Sequence, residues 1–125
     1  MPFALEFPDS ELLDVVADAS IVRMRFAAAA VRDVDTGERG WLAPVQLEFG
    51  NATFDDDTTH AFGKITQATL RHDTLVVGRL QIPGTANGAL ELTLHVANGT
   101  RLVVTADTLT ASVAADARFT PDLSC

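Results

Sequence analysis

Apolar residues occupy every second position over long stretches of this chain, and that alternation restricts it to extended strands. From Ser20 to Asp35, Val22, Met24, Phe26, Ala28 and Ala30 take the even positions, while Arg23 and Arg25 take odd ones. Asp33-Val34-Asp35-Thr36-Gly37-Glu38 then reads as a turn. After it the parity changes: Trp41, Ala43, Val45, Leu47 and Phe49 share one face, with Gln46 and Glu48 on the other. Pro44 interrupts this second strand. It has no amide hydrogen to give a ladder, so it marks an edge or a bulge.

The sharpest local expectation concerns a hairpin near the C-terminal end. Leu90, Leu92, Leu94 and Val96 alternate with Glu91, Thr93 and His95, and Arg101 to Thr105 returns. The Asn98-Gly99 pair by itself suggests a two-residue turn, which would set Leu94 against Val103. That register would divide the apolar residues between the two faces. A three-residue loop, Ala97-Asn98-Gly99, pairs Leu94 with Leu102 and Leu92 with Val104, so the longer loop is expected, with Gly99 at positive φ.

The rest of the chain is read more coarsely. Residues 9–17 fit either a strand or a short helix capped by Asp9 or Ser10, and the adjacent Val15-Val16 favours the strand. Gly50 to Gly63 reads as a surface loop touching down at Phe54 and Phe62. Strands are expected around Ile65–Leu70, Leu75–Ile82 and Thr108–Val113, with a loop over Pro83–Gly88, an anchor at Phe119 and a loose tail over 120–125. The sum is one all-β domain over residues 1–125. It is an antiparallel sandwich or small partly open barrel of about seven to eight strands, with room for one short N-terminal helix.

Composition narrows the function classes. Seventeen acidic residues against nine basic ones give a net charge of −8, which repels phosphate backbones and anionic lipid and suits a basic protein partner. The longest run without a charged or polar side chain, Phe26 to Val31, is far shorter than a membrane helix. Cys125 is the one cysteine, so no internal disulfide is needed. Met1 to Glu6 lacks the basic and apolar regions of a secretory signal, and a cytoplasmic location follows as the expectation. Eight of the nine bases are Arg and Ala is abundant, which points to a GC-rich bacterial source.

No stretch carries a specific catalytic or nucleotide motif. Asp55-Asp56-Asp57-Thr58-Thr59-His60 is the densest chemical cluster and reads first as a solvated acidic loop. A metal-dependent hydrolase built on it is an alternative, but consecutive aspartates cannot all face one ion, and no metal or cofactor is expected. His60, His72 and His95 are far apart, and no Gly-x-Ser-x-Gly nucleophile motif is present. Trp41 stands alone and there is no Tyr, which disfavours a stacking platform for single-stranded nucleic acid.

Gly88 to Thr108, with Arg23 and Arg25 upstream, loosely resembles a PilZ barrel in its strand alternation. The motifs that would carry cyclic-dinucleotide binding are missing. Arg23-Met24-Arg25 does not have the Arg-x-x-x-Arg spacing, and no Asp-x-Ser-x-x-Gly follows, so the chain is not assigned to that family.

The expected function is therefore non-enzymatic binding of another macromolecule, in its sharpest form an immunity or inhibitor protein that neutralises a basic toxin or effector. Its contact candidates are Glu11, Asp14, Asp18, Asp55, Asp56 and Asp57. A small-ligand barrel using Arg23 and Arg25 against an anion is the alternative. Pairing of edge strands into a homodimer is a further expectation for such a sheet.

Overall fold

The computed structural model describes residues 2–55 and 58–122. Nine antiparallel strands occur among them: β1 (Phe3–Asp18), β2 (Ile21–Asp33), β3 (Arg39–Gly50), β4 (Thr53–Phe54), β5 (Gly63–His72), β6 (Leu75–Val77), β7 (Leu80–Ile82), β8 (Gly84–Val96) and β9 (Arg101–Pro121). A single turn of 3₁₀ helix, Thr58–His60, precedes β5. Residues 9–17 are strand, so the short N-terminal helix is not formed.

The strands make one sheet in the order β6-β5-β8-β9-β3-β2-β1-β7, and it curls back on itself. Two residue pairs, Glu11–Lys64 and Leu12–Gly63, join β1 to β5 and close the ring at that level only. Above this seam β1 and β5 part, and the chain from Leu75 to Ile82 fills the gap. It is not the single strand expected. It breaks at Gly78-Arg79, with β6 paired to β5 and β7 paired to β1. The result is the partly open barrel, lined by one hydrophobic cluster that includes Met24, Leu47, Phe49, Ile65, Leu92, Leu94 and Leu102.

The hairpin forms in the expected register. Leu94 lies opposite Leu102, Leu92 opposite Val104, and Gly99 has φ +92°. The Val96 N–H donates to the Thr100 carbonyl at 2.9 Å, closing the three-residue loop, and the Thr100 N–H donates to Asn98 Oδ1 at 2.9 Å. Burying apolar side chains on one face outweighed the tighter turn that Asn-Gly prefers.

Three expectations fail where long strands bend. The ladder is interrupted between Glu6–Ala30 and Glu11–Ala28 on β1–β2. It is interrupted again between Phe26–Val45 and Ala29–Leu42 on β2–β3, and between Val45–Val113 and Ala43–Arg118 on β3–β9. These interruptions line up across the wall, and crossing them changes which parity faces inward. Val45, Leu47 and Phe49 are buried below the bend, whereas Leu42 is buried above it. Trp41 and Ala43 therefore lie on the outer face, not the core face expected of them. Pro44 sits at the bend as the bulge its chemistry suggested. On β2 the same change buries Ala29 and Val31 and leaves Ala28 half-buried.

β8 starts at Gly84, so the expected loop over Pro83–Gly88 is mostly strand, with a ladder irregularity between Asn87 and Leu90. β9 runs unbroken past Val113, so Thr120 and Pro121 pair with Trp41 and Gly40 instead of fraying. Phe119 does act as an anchor: its ring packs against Phe3 with centroids 5.3 Å apart. Phe62 does not touch down; Ala61 is buried in its place. Residues 123–125, including Cys125, lie outside the described residues.

Candidate functional site

The second half of β1 gathers the features that point to binding. Leu12 pairs with Phe26 and Asp14 with Arg25, which leaves Leu13 as the extra residue of a bulge. The bulge turns Leu13 outward, and it is 54% exposed. Val16, three residues on, is 45% exposed. Phe62 comes immediately before the seam pair of Gly63 with Leu12, so it stands level with Leu13 across the seam, 59% exposed. A groove of about 350 Å³ leads away from Leu13 over the outer wall to Pro44, Val113 and Ala114. Isolated exposed apolar residues need no explanation, but several together with an apolar groove mark an interaction face.

Acidic residues border this face. Glu11 and Asp18 are exposed on β1, and Asp14 is half-buried between them. The Thr58–His60 turn packs on β1. Asp55 Oδ1 accepts a hydrogen bond from the buried Thr58 hydroxyl at 2.9 Å, and the Asp55 carbonyl accepts from the Thr58 N–H at 3.2 Å, which ties Asp55 to that turn. Asp56 and Asp57 lie outside the described residues.

Arg23 and Arg25 both stand on the outer face of β2, and each already has a carboxylate. Arg23 Nε donates to Glu48 at 2.8 Å. Arg25 Nε donates to Asp14 Oδ1 at 2.8 Å, and its Nη2 donates to Asp14 Oδ2. The Arg25 hydrogen bonds hold the Asp14 carboxyl below its ordinary value, and Asp14 in turn raises Arg25. An anion would have to compete with both carboxylates.

The histidines remain dispersed. The His60 carbonyl accepts from Asn98 Nδ2 at 3.1 Å, and His72 Nε2 lies 2.6 Å from the Asn87 carbonyl oxygen. Among the described residues no group of three His, Cys, Asp or Glu side chains is placed to hold a metal. Asp33 is buried at the Asp33–Gly37 turn, where its Oδ1 accepts from the Asp35 N–H at 2.9 Å, as a hairpin turn requires.

Reading by residue type missed a second concavity. A cleft of about 460 Å³ opens beside the seam, lined by Asp9, Glu11, Ala28, Arg39, Trp41, Lys64 and Asp122. Strict alternation carried through Pro44 puts Trp41 on the core face. A proline read as a change of face would have placed it here.

No family model, curated protein or solved structure matches this chain. No helix among the described residues is long and apolar enough to cross a membrane.

Proposed function

We propose that this chain is a protein-binding module whose docking face is the outer wall around the β1 bulge. The observation that carries this reading is the exposure of Leu13, Val16 and Phe62, all large and apolar, along the part of β1 that carries Glu11, Asp14 and Asp18 and across its seam. A partner with an apolar anchor and a basic rim fits such a surface. The anchor supplies most of the affinity, while charge supplies approach rate and orientation. The net charge of −8 favours a basic partner at long range. On this reading the chain acts in a bacterial cytoplasm as an immunity or inhibitor protein against a cationic toxin or effector.

The test is titration against the product of a neighbouring gene. A complex that weakens with salt and is lost on Leu13→Asp supports the proposal. A complex indifferent to both Leu13→Asp and Phe62→Ser places the interface elsewhere and removes it.

Self-association is a second reading, favoured by β6. That strand lies at the edge of the sheet and carries Leu75 at 71% and Val76 at 64% exposure. Light scattering of the wild type and of Val76→Lys distinguishes a dimer formed there from a monomer.

A further inference from the structure

We infer that the cleft beside the β1–β5 seam is a binding site for an organic cation, an alkylammonium or guanidinium group held against Trp41. The inference shares Glu11 with the docking face but otherwise rests on different residues, above all Ala28 and Trp41, and on a different chemistry.

The cleft exists because of a small residue in the bent wall. Ala28 on β2 pairs with Glu11 on β1, and its side chain ends at Cβ. Trp41 on β3 pairs with Ala30, two residues further along the same strand. The space above Ala28 is thus left between an aromatic side chain and a carboxylate. Its volume of about 460 Å³ lies within the range of small-ligand pockets.

Charge decides what would enter. The lining holds three carboxylates, Asp9, Glu11 and Asp122, against two cations, Arg39 and Lys64. Both cations are already engaged: Lys64 Nζ lies 3.3 Å from Asp9, and Arg39 Nε lies 3.4 Å from Glu6. Glu11 makes no ion pair among the described residues. An anion would have to separate an existing pair. A cation meets an unpaired carboxylate and the negative face of an indole, the aromatic ring that attracts cations most strongly. The overall charge of −8 adds to its local concentration.

Trp41 is the one tryptophan in the chain, so its fluorescence reports on this cleft alone. The protein is titrated with N-acetyl-arginine amide, spermidine and tetramethylammonium, and separately with potassium acetate and potassium phosphate at equal ionic strength. A saturable change with the organic cations and none with the potassium salts is expected. Glu11→Gln should weaken binding about two- to fivefold. Ala28→Leu, which fills the cleft and removes no charge, should abolish it, with circular dichroism confirming the fold. A peptide containing Arg and Lys is the second arm. Binding of the free cations assigns the site to a small molecule, and binding of the peptide alone assigns it to a basic side chain presented by a polypeptide. No saturable response to either overturns the inference. So does an equal response to acetate or phosphate, or undiminished binding by Ala28→Leu. Leu13→Asp leaves cation binding unchanged, which keeps this result separate from the docking face.

Discussion

The hydroxyl of Ser10 accepts the amide hydrogen of Ala30 at 2.8 Å and donates its own hydrogen to the carbonyl of Glu6 at 2.7 Å. Both bonds lie where the β1–β2 ladder is interrupted between Glu6 and Glu11. Asp9, at φ +72°, provides the local turn that aims Ser10 inward, and Ser10 is fully buried. Ser10→Ala leaves the buried Ala30 N–H without a partner. It should cost about 1–3 kcal/mol, read from the urea midpoint at unchanged m-value.

Two glycines should resist substitution for opposite reasons. Gly40 faces Phe119, and a Cβ there would come within 2.7 Å of the ring and closer still to the Thr120 carbonyl. Gly40→Ala should destabilise by about 1–3 kcal/mol through overpacking, and hydrogen exchange should quicken first where β3 meets the end of β9. Gly99 has open space around it but holds φ +92°. Gly99→Ala should cost about 1–2 kcal/mol from backbone strain alone. Gly99→Asn should recover part of it, since Asn tolerates positive φ. Thermal melts of the three variants test both statements.

Leu13 and Phe62 should matter little to folding. Both side chains are more than half exposed, so Leu13→Asp and Phe62→Ser should each shift stability by no more than about 0.5 kcal/mol. A loss comparable to that of a core residue such as Leu94, about 2–5 kcal/mol on truncation to Ala, would show that these side chains pack.

The Asp14–Arg25 pair gives a pH signature. Its hydrogen bonds lower the folded Asp14 carboxyl below its unfolded value, so the stability it contributes is fully present above the ordinary carboxylate range. That contribution is lost as pH falls through the lowered value, below about pH 4. The melting temperature of the wild type should exceed that of Asp14→Asn by a small, constant margin at neutral pH. The margin should close in acid and shrink in high salt, because the pair is solvent-exposed. A margin that grows on acidification would contradict the pairing.

Much of the barrel was legible because a strand with one buried face writes a period of two into its sequence. Val22 to Phe26, Val45 to Phe49 and the Leu90–Val104 hairpin were placed correctly on that basis alone, including a register that overrode the local Asn98-Gly99 preference. Asp9 and Ser10 left a helix open beside the favoured strand for a physical reason. A short polar side chain that bonds to backbone serves a helix cap and a β-bulge equally well, and only the neighbouring strand distinguishes them. The acidic residues of β1 were visible as chemistry, but the apolar face beside them was not. Nothing in the local pattern around Leu13 says that Phe26 and Arg25 will pair with the residues on either side of it.

The sequence by itself determined that this chain is built of antiparallel strands, where most of them lie and how the terminal hairpin is registered. Those properties follow from side-chain alternation and turn chemistry, which act over a few residues. Tertiary structure alone decided that β1 meets β5, that four long strands bend along one line, and that Trp41 lies outside the core. These depend on pairings between residues tens of positions apart, where one bulge reverses the face of every side chain beyond it.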